Sequence, residues 1–287
     1  MYELIDVLIS GVTNGSVYAM MAVGLSLVYG VTKVFNFAYG SLYTLGGYLA
    51  FTFFGCGFGY PLVILLTLLS LYLAGLLTER VVIRPLRRRE DWEMLAMMVT
   101  LGLAIFLDNL YQVVYGPYVK SLPLMFSGNL QLAGFVVSIQ DLAIFCIAVL
   151  VMGGFMIFLN THRLGMAVEA VAQDMTGAQI VGIPKDRVFG FTFAISTVLV
   201  GFGGILLAPK YFITPFGGWD ILVKAWVITA LGGMGSVRGS LYAAFLLGII
   251  EALIGWQFGL TWILFAWFAV LLGTLIVRPH GLFGTWG

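Results

Sequence analysis

Charge is what this chain has least of. Only 9% of its 287 residues are Asp, Glu, Lys or Arg, while 61% are hydrophobic. A soluble domain carries about 25% charged residues, so too few polar side chains are present to cover a globule in water. That excludes a soluble fold and leaves a polytopic membrane protein. The formal net charge of +1 offers no footprint for nucleic acid. Histidine is also scarce. His162 and His280 stand alone, with no second His or carboxylate at metal-ligand spacing, so no metal site is expected. Cys56 and Cys146 fall in apolar surroundings and read as buried free thiols, with a disulfide between them as the minor alternative. No Ser/His/Asp arrangement or nucleophile elbow is present, so catalysis is not expected. The glycine-rich run 232–239 lacks the lysine that a phosphate-binding loop requires. Energy for any active transport must therefore come from another polypeptide or from an ion gradient. The start, MYELIDVLIS, has no basic n-region, so no cleavable signal peptide is expected.

What the chain does have is apolar runs of spanning length. About 20 apolar residues are needed per span. Such runs cover residues 4–29, about 39–54, 61–79, 94–115, 138–159, 189–208, 239–256 and 260–277, with a shorter piece at 219–231. The expected fold is all-α and polytopic, with about eight to nine spans, at least one of them short or broken. The polar interval 116–138 is read as a loop. The whole of 1–287 is read as one transmembrane domain. Thirty-seven glycines suit helices packed closely in lipid. Gly40-Ser41-Leu42-Tyr43 and Gly239-Ser240-Leu241-Tyr242 match, each opening a span, a weak sign of two repeats.

Orientation follows from the basic residues of the loops. With the N-terminus outside, the inner loops hold Lys33, Arg80, Arg84, Arg87, Arg88, Arg89, Arg163, Lys185, Arg187, Arg238 and Arg278; the outer side holds Lys120, Lys210 and Lys224. Eleven against three places the C-terminus in the cytosol, provided the short piece at 219–231 does not re-enter on one side.

Residues 160–188, NTHRLGMAVEAVAQDMTGAQIVGIPKDRV, form the one long polar interval of the second half. They fall on the cytosolic side. Residues 165–173 are helix-compatible, and Asp174 is placed to cap a second short helix over 175–181. Gly182 suits a helix end and Pro184 a stop. Two helices lying on the cytosolic face would turn Glu169, Gln173, Asp174 and Gln179 outward and dock a cytosolic partner. A plain connection could be much shorter.

Elsewhere, Asn36 to Gly40 and Gly232 to Gly239 are polar or glycine-rich breaks near cytosolic span ends. Lipid cannot satisfy their freed backbone groups, so they face a cavity or other protein. Tight small-residue packing, through Gly11/Gly15 and Gly235/Gly239, is the other reading. Asp108, Asp220, Lys224 and Glu251 are ionisable groups within or beside spans, each a functional candidate or a structural pair. Asp220 and Lys224 sit at i, i+4. Two scattered carboxylates do not make a proton relay.

Taken together, residues 24–50, 84–103, 165–209, 230–253 and 278–284 resemble, in the same order, the permease subunits of bacterial ABC importers for branched-chain amino acids, in particular the shorter, H-type subunit. The resemblance covers nearly the whole chain. It implies a homologous second permease subunit, two cytosolic ATPases that bind ATP and Mg, and a periplasmic substrate-binding protein. This chain would hold no cofactor itself and would sit in the bacterial inner membrane among its lipids. The interval 160–188 matches the family's ATPase-contacting loop, so Glu169, Ala170, Asp174 and Gly182 carry that role by position, and Gly165, Pro184 and Arg187 of the same interval are grouped with them as coupling residues. Asn36, Phe37, Tyr39, Gly40, Gly232, Gly233, Gly235 and Glu251 are assigned to the translocation path and its helix breaks. Tyr39 stands where the family usually has His, and Gly182-Ile183-Pro184-Lys185 stands for the usual Gly-Ile-Asp pattern. Urea and amide permeases are similar in these regions, and an ion-coupled carrier is a further alternative.

Overall fold

The computed structural model describes residues 2–132 and 135–283. In chain order the helices are α1 (Tyr2–Thr32), α2 (Tyr39–Gly55), α3 (Tyr60–Leu77) and, after a π-helical turn at Thr78–Ile83, α4 (Arg84–Leu86). Then come α5 (Trp92–Tyr115), strands β1 (Asn129–Leu132) and β2 (Phe135–Ser138), and α6 (Ile139–Thr161). Next are α7 (Arg163–Gln173), α8 (Met175–Ile180), α9 (Lys185–Leu207) and α10 (Gly218–Gly232). Last come α11 (Val237–Gln257), a 3-10 turn at Leu260–Trp262, and α12 (Ile263–Val277). Seven helical segments among the described residues are long and apolar enough to cross a membrane. At 17 and 15 residues, α2 and α10 fall short of that length, and α12, also 15 residues, reaches 18 only with the 3-10 turn before it. The loop expected over 116–138 instead ends in an antiparallel hairpin, pairing Asn129 with Ser138 and Leu132 with Phe135. Two four-residue strands inside a polar interval give too short an alternation to stand out from a loop.

The chain falls into two compact units. One comprises Met1–Ser26, Leu124–Gly154 and Lys224–Gly287; the other comprises Leu27–Pro123 and Phe155–Val223.

The second unit is built around α9, most of whose residues are buried. Lipid tails are as apolar as leucine, so helix association there rests on close van der Waals contact, which small residues permit. A Cβ placed on Gly46 of α2 would lie 2.2 Å from the Gly201 carbonyl oxygen of α9, and one on Gly204 would lie 2.4 Å from the Tyr43 carbonyl oxygen. On the other side Gly75 of α3 meets the Ala194 backbone, with 2.7 Å to its Cα. The start of α10 packs on the start of α2 in the same way, through Gly40 and Gly218. Helix α5 joins α2 through a stack of Tyr48 on Tyr115, ring centroids 4.2 Å apart.

In the first unit α1 packs on α11. Gly248 of α11 sits against the backbones of Gly11 and Gly15, which is the small-residue seam expected for that pair. Helix α12 is largely exposed, its Leu264, Phe265, Leu272 and Ile276 free to face lipid, while Trp267 alone of its residues is fully buried. Cys56 and Cys146 are free thiols as expected, but both are exposed rather than buried. An apolar neighbourhood in a membrane protein is the normal condition of an outward-facing residue, so it does not imply an interior one.

Candidate functional site

The interval 160–188 folds as two short helices, and its local chemistry accounts for each boundary. His162 has extended backbone angles and its Nδ1 accepts a hydrogen bond from the Leu164 amide at 3.2 Å, so it caps α7. It also stacks on Phe158, centroids 4.8 Å apart. Asp174 stands between the helices at φ −146° and ψ 104°, and its Oδ1 accepts from the Thr176 amide at 2.9 Å. That bond satisfies one of the orphan donors at the start of α8. At the far end Gly182 adopts φ +88°. Its amide donates to the Gln179 carbonyl and the Ile183 amide to the Ala178 carbonyl, both at 3.0 Å. This is a Schellman ending, which needs a left-handed residue at that place. Pro184 is not the stop that the sequence suggested. Gly182 ends α8, and Pro184 opens α9 by accepting from the Arg187 amide at 3.1 Å and the Val188 amide at 3.3 Å. Proline has no side-chain acceptor, so α9 begins without a side-chain cap, and Asp186 in its first turn is the one acid facing the helix dipole there.

Glu169, Gln173, Asp174, Gln179, Gly182, Pro184 and Arg187 are exposed, whereas Ala170 is half-buried and Gly165 is buried. Gly165 anchors α7: a Cβ there would come within 2.6 Å of the Leu159 Cα and the Phe158 carbonyl oxygen. Ile180 and Val181 project with 82% and 75% exposure, an apolar knob at the end of α8. Replacing Asp174 with alanine is expected to weaken α8 by about 1 kcal/mol. Hydrogen exchange at its first amides should then rise about fivefold.

Polar contacts tie this surface to the rest of the second unit. Lys33, whose φ of +59° makes it the one left-handed non-glycine among the described residues, reaches the Ala172 carbonyl with its Nζ at 3.2 Å. Asp186 pairs with Arg87 at 3.1 Å. Arg87 in turn pairs with Glu79 at 2.7 Å and lies over the Phe189 ring, and Arg84 pairs with Glu79 at 3.0 Å. Glu79 is 1% exposed. From sequence these arginines counted only toward orientation. The signal for their pairing was one acid, Glu79, at the end of an apolar run with arginines five and eight residues on.

The first helix break is non-helical over residues 33–38. Asn36, buried, folds its Oδ1 back to the Ala38 amide at 3.1 Å, and the Phe37 amide bonds Thr100 Oγ1 at 3.2 Å. Asn36 and Thr100 line a small cavity with Trp92 and Phe193. Tyr39 is buried as the first residue of α2, and Gly40 follows against Gly218. Close by, Asp108 accepts from Ser41 Oγ at 2.7 Å and from Trp219 Nε1 at 2.8 Å, so both carboxylate oxygens are bonded and the three helices α2, α5 and α10 are tied together.

The second break follows α10. Gly233 and Gly235 have φ of +99° and +84°, and Ser236 caps α11 by accepting from the Gly239 amide at 3.1 Å. Gly239 packs on Gly232, and Gly235 takes the left-handed conformation of the turn before α11. The tail closes over this break: the Leu282 amide donates to the Leu231 carbonyl at 2.8 Å. Gly40 and Gly239, the matched glycines, thus each meet a glycine at one end of α10.

Asp220 and Lys224, spaced for an i, i+4 pair, do not form one among the described ion pairs. Lys224 binds Glu251 of α11 at 2.8 Å, 27 residues away, and donates to the Tyr18 hydroxyl of α1 at 2.7 Å. Tyr18 bonds the same Glu251 oxygen at 3.0 Å. This pairing was beyond the reach of local spacing. No group of three or more His, Cys, Asp or Glu suited to a metal occurs among the described residues.

The sequence model described as branched-chain amino acid transport system / permease component matches residues 7–278. The high-affinity branched-chain amino acid transport system permease protein BraD of Pseudomonas aeruginosa is 31% identical, over 99% of this chain and 96% of that protein. The corresponding protein LivH of Escherichia coli is 33% identical over 96% of this chain and 94% of its own length. The LivM permease protein of Escherichia coli is 26% identical over 93% of this chain and 67% of its own length. No solved structure matches.

Proposed function

The chain belongs to the family of branched-chain amino acid transport system permease components, and from that premise we propose that it is the translocation subunit of an ATP-driven ABC importer carrying branched-chain amino acids across a bacterial inner membrane. It is a multi-pass membrane protein and not an enzyme. Its partners in this reading are a homologous second permease subunit, two cytosolic ATPases that bind ATP and Mg, and a periplasmic binding protein. The likeness to both LivH and LivM proteins favours a heterologous pairing. The charge bias favours an outer N-terminus and a cytosolic C-terminus.

The observation that carries the reading is the surface of α7 and α8. It is folded, capped at each end, presents Glu169, Asp174 and the Ile180–Val181 knob outward, and is rooted through Asp186 and Arg87 in the body of the second unit. ATPase closure would press on this surface and tilt α6 and α9, its two attachments. In proteoliposomes the chain alone should take up no leucine with or without an ion gradient, and uptake should require ATP and all partners. Ile180→Glu with Glu169→Lys is expected to reduce ATPase co-purification and uptake at least tenfold. Unchanged association would overturn the interface, uptake by the chain alone would favour an ion-coupled carrier, and uptake of urea or amides without leucine would change the substrate.

A further inference from the structure

The first unit gathers polar side chains from four helices. Lys224 of α10 sits between Glu251 of α11, Tyr18 of α1 and Trp267 of α12; its Nζ lies 4.7 Å and 5.4 Å from the centroids of the Tyr18 and Trp267 rings. The two rings meet edge to face at 5.7 Å. By helix rise Tyr18 is about 24 Å from one end of α1 and 21 Å from the other, so the cluster lies at mid-span. Lys224 and Glu251 are 24% and 13% exposed, reachable rather than sealed.

Two atoms of this cluster are left over. Glu251 Oε1 takes both hydrogen bonds, from Lys224 and Tyr18, while Glu251 Oε2 is buried and accepts none. The indole Nε1 of Trp267 is buried and donates to nothing. A carboxylate oxygen without a donor in a low-dielectric site is costly. A pair with a purely structural role gains nothing from that, since apolar residues of the same volume commonly serve as well. The unused groups are one anionic acceptor and one neutral donor beside a lysine. A lone cation or anion would leave half of the pair uncompensated. A small ammonium–carboxylate zwitterion would not: its ammonium meets Glu251 Oε2 and the faces of the two rings, and its carboxylate meets the Lys224 ammonium and the Trp267 N–H. The exchange keeps every charge paired throughout.

We propose that Tyr18, Lys224, Glu251 and Trp267 form a waypoint for the α-ammonium and α-carboxylate groups of an amino acid in transit. The inference rests on the transport reading above and locates a hold on the zwitterion that an apolar path would lack. Neutral solutes such as amides cannot open the pair and gain nothing from it.

The test is saturation-transfer NMR on the assembled permease–ATPase complex in phosphatidylglycerol nanodiscs, without binding protein. The probes are leucine, 3-methylbutylamine, which lacks the carboxylate, and 4-methylpentanoate, which lacks the ammonium. The wild type is expected to prefer leucine at least tenfold over each. Glu251→Gln should lose the preference over 4-methylpentanoate and keep that over 3-methylbutylamine. The Lys224→Met/Glu251→Met pair, checked for assembly by its melting midpoint, should lose both. A wild type without preference, or variants that retain it, overturns the waypoint. So does a tenfold loss of leucine binding when phosphatidylethanolamine is added, which would reassign the cluster to a lipid headgroup. Leucine uptake by the wild-type complex is measured in parallel. Uptake without headgroup preference removes the waypoint alone, and absence of uptake removes the transport reading.

Discussion

Replacing Gly40 with leucine is expected to abolish recovery of folded protein. A Cβ at that position would stand 2.2 Å from the Gly218 carbonyl oxygen and 2.7 Å from its carbon, and the reverse substitution at Gly218 would meet the Gly40 oxygen at 2.1 Å. The obstructing atoms are backbone, so no rotamer change clears them, and α2 and α10 must separate. Their separation pulls on Ser41 and Trp219, each adjacent in sequence to one of the glycines, and each a donor to the buried Asp108. Overpacking costs about 1–3 kcal/mol and a hydrogen bond to a charged group about 1.5–3 kcal/mol. The sum is on the order of the net stability of many proteins, about 5–15 kcal/mol. Because the clash begins at Cβ, alanine should already lower the melting midpoint of the detergent-solubilised protein. Gly102→Ala in α5, where nothing lies within 4 Å of the added carbon, is the control and should leave the midpoint unchanged or raise it. A Gly40→Leu protein that melts with the wild type would mean that this seam does not constrain the fold.

Glu79→Ala should have the next largest effect. The side chain is 1% exposed and holds Arg84 and Arg87, of which Arg87 is itself only 12% exposed. Removing the acid leaves a largely buried guanidinium with the exposed Asp186 as its remaining ion-pair partner. Breaking a buried pair from one side costs about 3–5 kcal/mol, whereas replacing both partners with apolar groups is often neutral. The Glu79→Leu/Arg87→Met double variant should therefore recover most of the melting temperature that Glu79→Ala loses. Coupling should not recover with it, because Asp186 lies in the first turn of α9 directly after the α7–α8 surface proposed for docking. The number of leucine molecules imported per ATP should fall at least fivefold in the stable double variant. A double variant as unstable as the single one would show that Glu79 acts through something other than its arginines.

Much of this was readable from local chemistry. Apolar runs placed the long helices to within a few residues, and Asp174 and Gly182 announced the ends of α8 because a cap and a left-handed turn each need a particular residue type. Pro184 misled for the same reason that it is informative: proline is compatible with a helix start as well as with a stop, and here Gly182 had already ended the helix. His162, read as an isolated histidine, is a cap two residues from its donor. What sequence could not yield was pairing at a distance. Lys224 had an acid at i, i−4 in Asp220 and took one 27 residues on instead, because α10 lies beside α11 at that level. The hairpin at residues 129–138 was hidden by its brevity, and the exposure of Cys56 and Cys146 by the fact that lipid and protein interior favour the same residues.

Helix α9 meets α2 and α3 along seams where glycine sits on backbone at Gly46, Gly75 and Gly204, with the Leu71 side chain against Gly201. In mechanical terms it is a lever with little backlash. Its 23 residues make an arm of about 34 Å, so a tilt of roughly 10° about one end swings the other by about 6 Å. If a partner pressed next to Pro184, as proposed above, the displacement would be carried along α9 toward Leu207, and its size would be set by helix length and pivot position. A bulkier residue at Gly46, Gly75 or Gly204 would then be expected to loosen the linkage.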